Sequence, residues 1–540
     1  MCRHTNERCP DGIDFAAFYL DDGVVAGSRE AVQTMLSSLR TLFASVGLEF
    51  NVEKTIASPP PECQNAVPMS PWTWQADANI KVLGAPVGSD AFVRETLQSR
   101  AADATLILNR IKDLDCPQTA MGLARMCGAA VKMQYSMRTT PSDQCEGILQ
   151  DFDCQVRRSV ESILGQPLEQ DEWARAARGV RFAGLGFRPA ASHAPGAFWA
   201  SVHDGRELVH RIWPQAEVEN LSLNEEAVLG TWCSRELLDR ARTTDKKRQK
   251  SLSDALDRSS LDAECTSPST SEHVKAHLKL VQQDGTDQWL VAPPCSDHGT
   301  LLDGELFRIS AKRRIRARFC TTHASCPLCG DALDLYMDHA LVCPCGGDRT
   351  VRHNLVCKDL TSDLKCLGLN PVQEKPGLLP IANSDLEGNA GNFRSVGRNG
   401  RRPADVWIPL WENGRGTAVD TALTSGLAGS WLQKVVQDPN GPTVFYEEHK
   451  RNDRDTESHC EAQGFHLLPL IVEAHSGAFG GNAAEFVRQL GKRRGAQLGS
   501  SAGLQTTSIV SRIQATLRRE TARAILRRAS ANMESLPRLQ

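Results

Sequence analysis

The 540-residue sequence predicts a multidomain α+β protein, and three observations carry that prediction. Strand-like segments joined by tight-turn signals occur near residues 15–26 and again near 401–422. Apolar stripes of helical period lie between and after them. The length holds roughly three domains, and a hydrophobic content of 41% is enough for several buried cores.

The first element is Phe18-Tyr19-Leu20-Asp21-Asp22-Gly23, with two adjacent carboxylates at the tip of a hairpin. Apolar residues lead in (Phe15, Ala17, Phe18, Leu20) and out (Val24, Val25, Ala26), and Asp-Gly is a two-residue turn signal. Taken alone, the tetrapeptide also reads as a plain surface turn. Residues 28–46 follow, with Val32, Met35, Leu36, Leu39, Leu42, Phe43 and Val46 on one helical stripe, Ser28 as N-cap and Gly47 as C-cap. Residues 47–55 alternate as a strand, and beyond a Pro-rich loop comes Lys81-Val82-Leu83-Gly84-Ala85-Pro86-Val87-Gly88.

In this order the three segments resemble the last palm motifs of a reverse transcriptase. Leu123-Ala124-Arg125-Met126, Tyr135-Ser136-Met137-Arg138 and Gly184-Leu185-Gly186-Phe187 before an Ala-rich helix extend the likeness to the helical thumb of non-LTR retrotransposon proteins. The resemblance implies a right-hand polymerase palm and RNA-directed DNA polymerase chemistry, with RNA template and DNA target or primer as partners. Asp21 and Asp22 would hold Mg2+ or Mn2+, Lys54 would lie near the incoming nucleotide, and Leu83-Gly84 would grip the primer. Nucleotidyl transfer needs such ions to activate the attacking hydroxyl and neutralise the leaving group, and hard cations prefer carboxylate oxygens. In that family a further aspartate on an earlier strand completes the site. The short lead-in has no room for that strand and a helix, and Asp11 and Asp14 lie on the same lead-in, so a partial palm is expected.

The formal charge is −3, not that of a dedicated nucleic-acid binder, but basic clusters occur. They are Lys246-Lys247-Arg248, Lys312-Arg313-Arg314 with Arg316 and Arg318, Lys492-Arg493-Arg494, and Arg518-Arg519 with Arg527-Arg528. Each reads either as a nucleic-acid contact or as a solvated helix face. The amino terminus lacks the apolar run of a signal peptide, and no stretch approaches the ~20 apolar residues of a membrane span. A soluble, intracellular, nuclear protein without membrane contact is expected.

Of the 18 cysteines, six lie between Cys320 and Cys357, which points to metal. Cys326-Pro327-Leu328-Cys329 forms a thiolate knuckle, and His339 and Cys343 present two more ligands from one helical turn, completing a structural Zn2+ site. Cys320, His323, Cys345 and His353 compete as ligands, with Cys345 an alternative fourth. With Gly346-Gly347-Asp348-Arg349 and Arg352-His353-Asn354 following, the region resembles the zinc knuckle of non-LTR elements that carry a restriction-like nuclease.

Arg401-Arg402-Pro403-Ala404-Asp405-Val406-Trp407-Ile408 begins a strand, and a turn at Asn413-Gly414 leads to Thr417-Ala418-Val419-Asp420-Thr421-Ala422. Two carboxylates on neighbouring strands can share a divalent ion, and a nearby lysine can orient or deprotonate water. This resembles a PD-(D/E)xK-like α/β nuclease, with Asp405 and Asp420 as magnesium ligands. The lysine usual two residues after the second carboxylate is replaced by Ala422, and Lys450 is the matching candidate in the retroelement branch. Glu374 offers an early acidic residue. A buried strand over 465–472 ends in a structural Glu473.

The expected order is a partial palm over 1–90, a helical thumb-like region over 91–210, and a helical and linker region over 211–305. A zinc region over 306–360, a nuclease domain over 361–500 and a C-terminal helix over 501–540 complete it. That last helix carries Ile509, Val510, Ile513, Leu517, Ile525 and Leu526 on one stripe, most simply packed on the nuclease. Two further readings stay open: a stand-alone metal-dependent DNA endonuclease, and a catalytically dead nucleic-acid-binding remnant.

Overall fold

The computed structural model describes residues 11–60, 63, 66–214, 216–243, 247–320, 324–379 and 403–529. Lys246, His323, Arg401 and Arg402, singled out above, lie outside the described residues. The chain forms two compact α+β units, each built from separate stretches. The described residues of 1–109, 127–156 and 188–256 form the first, and those of 110–126, 157–187 and 257–540 the second. No described helix is long and apolar enough to cross a membrane.

In the first unit, β1 (Ile13–Tyr19) and β2 (Asp22–Gly27) pair antiparallel, with Tyr19 opposite Asp22. The two-residue loop is therefore Leu20-Asp21, not Asp22-Gly23, and Leu20 takes the positive φ of 56°. Gly23 is used otherwise. It faces Phe18 across the ladder, where a Cβ would collide with the Phe18 ring, so the glycine is the floor on which that ring lies. Phe18 in turn meets Phe43 edge-on at 6.5 Å. Phe43 belongs to α1 (Arg29–Ser45), which starts as predicted at Ser28, whose hydroxyl accepts from the Ala31 N–H. Gly47 follows its end at φ 78°. The stripe is incompletely covered, since Leu42 is 58% and Val46 66% exposed.

The strand expected over 47–55 does not form. The Asn51 side chain accepts from the Lys54 N–H and its carbonyl from the Thr55 N–H, each at 3.0 Å, which turns the backbone where a strand would continue. Only β3 (Ile56–Ala57) is extended, pairing parallel with β4 (Thr73–Trp74). Next, β5 (Ile80–Val82) and β6 (Ala85–Val87) form a hairpin around Leu83-Gly84, both at positive φ. The Tyr135 hydroxyl donates to the Leu83 carbonyl at 2.6 Å and Arg100 donates to that of Gly84, pinning this turn. Among the described residues these three strand pairs remain separate sheets. The Ala-rich helix α2 (Ala190–Ile212) follows Pro189, and Asp153 caps it by accepting from the Ala190 and Ala191 N–H groups at 2.7 and 3.0 Å.

The second unit is organised by α3 (Gly304–Arg314), a small zinc-knuckle-like region, and a four-stranded sheet. The knuckle region comprises β7 (Ala324–Ser325), β8 (Ala332–Leu333) and α4 (His339–Val342). Helix α5 (Asp348–Cys366) leads to the sheet strands β9 (Val372–Gln373), β10 (Val406–Ile408) and β11 (Thr417–Thr424). Helix α6 (Gly441–Asn452) precedes β12 (His466–Glu473), and α7 (Gly481–Leu498) and α8 (Ala502–Ala529) close the unit. Sheet order is β12-β11-β10-β9, with β11 and β12 parallel and the other pairs antiparallel. Val406, Ile408, Val419, Leu470 and Val472 face α5, α7 and α8 in one core. Ala404, Trp407, Ala418 and Leu467 face Cys460, Phe465 and Leu379 on the other side. Glu473 is fully buried, and its carboxylate accepts from the Gly426 and Ser476 N–H groups, a structural role.

Helix α8 realises the predicted stripe in two cores. Ile509, Ile513 and Leu517 enter the sheet core, whereas Ala522, Ala524, Ile525 and Ala529 pack with Cys326, Leu333, Met337 and Cys343 of the knuckle region.

The basic clusters are corrected in part: Lys247, Arg318, Lys492 and Arg527 are exposed, but other members turn inward. Lys312, Arg313, Arg314 and Arg316 are 3–6% exposed, neither solvated nor presented to a polyanion. Arg313 and Arg316 both pair with Asp338, at 3.1 and 2.8 Å, while Arg314 donates to the carbonyls of Gly184 and Val180. Arg518 donates to the carbonyls of His475 and Ser476, Arg528 is fully buried against Asp348, and Arg494 pairs with Asp363. These cations are internal struts. Burial opposes the charge on Asp338, but Arg316 and Arg313 hold its carboxyl below the usual value. That contribution is present above the unfolded-state value of about 4 and is lost as pH falls through the lower folded one. Asp338→Ala would leave two buried guanidiniums without their carboxylate. We expect a loss of about 3 kcal/mol at neutral pH, read from urea unfolding of the full chain.

Candidate metal centre and acidic site

Cys326, Cys329, His339 and Cys343 bring their ligand atoms within 4.8 Å of one another. The chain folds this way for local reasons. The Cys326 N–H donates to Asp331 and the Gly330 N–H back to Cys326, at 2.7 and 2.9 Å, with Gly330 at φ 81°, which closes the knuckle turn. Asp334 accepts from the Tyr336 and His339 N–H groups and so sets the start of α4, and the Cys343 N–H caps it on the His339 carbonyl. Cys329 Sγ lies 3.1 Å from His339 Nε2 and 3.6 Å from Cys343 Sγ. A tetrahedral zinc ion with Zn–S bonds of about 2.3 Å separates its sulfurs by roughly 3.8 Å, so the donor set fits a zinc-type ion.

The three thiols differ in protonation. Burial works against ionising Cys326 and Cys343, yet both are held below their ordinary values. Backbone N–H groups of Leu328 and Cys329 do this for Cys326, and Arg528 with the Cys345 N–H for Cys343. For Cys329 the Asp331 N–H lowers the value, but desolvation and the two neighbouring thiols outweigh it and push the group up to about 12. A metal ion would displace the proton that remains there. Of the competing ligands, Cys345 and His353 lie outside this group. Cys345 uses its carbonyl to accept from Arg528 at 3.1 Å.

The second site stands at the end of the sheet. Val406 pairs with Val419 and with Gln373, so the register sets Asp405 across from Asp420 on one side and Glu374 on the other. The Glu374 N–H donates to the Asp405 carbonyl at 2.9 Å. Lys450, reaching over from α6, donates to Asp420 Oδ1 at 2.8 Å. Burial holds the Asp420 carboxyl above its ordinary value, although Lys450 pulls the other way. The turn predicted at Asn413-Gly414 is present, with both residues at positive φ. Asp405 Oδ2 accepts from the Thr421 N–H at 2.7 Å and meets His353 Nε2 at 3.2 Å. The Asp405 carboxylate, followed by Cys357, pushes the His353 imidazole up to about 11. His353 thus belongs to the acidic site and not to the knuckle. Its one sequence signal is that it starts the i,i+4 pair His353 and Cys357 within a helix.

Asp21 and Asp22 are exposed, and among the described residues no third acidic, His or Cys side chain joins them in a metal-sized group. Lys54 is also exposed. No protein-family model matches the chain, and no curated protein matches it.

Proposed function

We propose that the chain is a retroelement-derived protein of the non-LTR reverse transcriptase type, and that its acidic site is a metal-dependent DNA endonuclease beside a zinc knuckle. The observation that carries the reading is Lys450 bonded to Asp420 while Asp420 stands across the ladder from Asp405. Two carboxylates on adjacent strands suit a magnesium or manganese ion, which would supply an activated water and offset charge on the phosphodiester. Asp405 and Asp420 would hold that ion. The Lys450 ammonium would orient the attacking water and hold positive charge beside the phosphate, and the Asp405 contact with His353 fixes the carboxylate. Asp420 lies within β11 and Asp405 directly before β10, while Lys450 and His353 come from helices α6 and α5.

The polymerase part of the proposal, with Asp21, Asp22 and Lys54 toward an RNA template and a DNA primer in the nucleus, rests on sequence resemblance alone. Primer extension on an RNA template, with and without Asp21→Ala, tests it. For the nuclease, incubation of the full chain with supercoiled plasmid and Mg2+ is expected to give nicked circles, and EDTA to stop it. Absence of nicking with either Mg2+ or Mn2+ would favour the nucleic-acid-binding remnant. Lys450→Met is expected to slow nicking by about 10²-fold, the usual scale for removing a proton-transfer or water-orienting group. An unchanged rate would remove Lys450 from the site.

A further inference from the structure

His353 and Cys357 lie one turn apart on α5, and that spacing puts both on the face toward Asp405. His353 Nε2 is 3.2 Å from Asp405 Oδ2 and 3.9 Å from Cys357 Sγ, and the three ligand atoms all lie within 4.8 Å of one another. We propose that His353, Cys357 and Asp405, whose carboxylate this ion would share with the one proposed between Asp405 and Asp420, form a second transition-metal site, of zinc type, with an open coordination position.

Ordinary bond lengths for a zinc ion held by one sulfur, one nitrogen and one oxygen imply ligand separations of roughly 3.3–3.6 Å. The observed separations need shifts of only a few tenths of an ångström along the His353 edges. One thiolate, one imidazole and one carboxylate make a softer set than magnesium takes and suit zinc, cobalt or a similar ion. The burial pattern supplies the open position. Cys357 is 5% exposed, inside the sheet core, whereas the His353 and Asp405 side chains are each 27% exposed, so an ion enters from solvent and keeps one side toward it.

The remaining polar contacts are compatible with an ion. His353 Nε2 also lies 3.2 Å from the Thr421 carbonyl, and Nδ1 lies 3.2 Å from Asn354 Oδ1. Without metal, the Nε2 proton joins His353 to Asp405. With metal, the ion takes the place of that proton, and the second ring nitrogen stays beside the Asn354 side chain, the arrangement usual for a metal-bound imidazole.

The test is metal content. The full chain is loaded with zinc, desalted, and measured by elemental analysis beside His353→Gln and Cys357→Ser. Each variant is expected to hold one zinc fewer than the parent, whatever the knuckle holds. With cobalt in place of zinc, the parent is expected to show additional sulfur-to-metal charge-transfer absorption that Cys357→Ser removes. Equal metal content in the parent and His353→Gln overturns the proposal. Because His353 is partly exposed, that variant keeps the test decisive even if Cys357→Ser does not fold. Metal counting needs no nuclease activity, so failure of the site and failure of the endonuclease reading are distinguishable.

Discussion

Asp420→Ala is expected to lower metal-dependent plasmid nicking by roughly 10³-fold or more, while Asp21→Ala leaves it unchanged. A catalytic metal supplies several kcal/mol of transition-state stabilisation, and each 1.36 kcal/mol is tenfold in rate. Removing Asp420 takes away a proposed metal ligand and also strands the Lys450 ammonium, which donates to that carboxylate. The side chain is partly buried in the middle of β11, where the strand neighbours Val419 and Thr421 are themselves 0–2% exposed, so the strand should hold its course without it. Asp420→Asn, similar in shape but without the charge, should lose most of the rate while unfolding like the parent. Nicking that survives both substitutions would place the cutting centre elsewhere. Loss of nicking in Asp21→Ala would mean that the exposed hairpin takes part, against the present assignment.

Stripping metal from the knuckle is expected to have the largest effect on stability. Structural zinc sites in small peptides contribute apparent binding energies of about 10–16 kcal/mol, much of it folding energy. Here part of that energy is supplied by packing, since Cys326 and Cys343 lie in a core with Leu306, Ile309, Phe319 and Ile525. A loss of about 4 kcal/mol on chelation or in Cys343→Ser is therefore the expected scale. For a unit of this size that lowers the unfolding temperature by roughly 10 °C. Calorimetry of the full chain with and without chelator, paired with zinc analysis, reads it directly. An unfolding temperature indifferent to both would mean that the four side chains hold no structural ion.

Features set by local chemistry were legible in the sequence. The knuckle ligands, the Ser28 cap and the Asn413-Gly414 turn follow from spacing or from a single strong turn residue, whereas Lys450, which bonds Asp420 across thirty residues, came only from the likeness to the nuclease motif. What failed depended on tertiary context. Gly23 looked like a turn residue but serves as the floor for Phe18, a use visible only once the two strands are in register. The alternating pattern over 47–55 was real, yet Asn51 bonds its own backbone neighbourhood first. The Arg-rich run of α3 gave no sign that Asp338, more than twenty residues away in sequence, would draw it inside. His353 was ambiguous because a histidine between a knuckle and a strand can serve either.

Helix α8 has a bearing on how the second unit comes apart. Its first half is fastened in the sheet core and its last turns in the knuckle core, so the two cores are splinted by one rod. A helix loses order from an end, and here the end is the one beneath the metal ligands. Amide protons over 522–529 should therefore exchange early when the ion leaves, with the opening travelling back toward Leu517 until the sheet arrests it. The protected length of one helix would then report the metal status of a site it does not itself ligate.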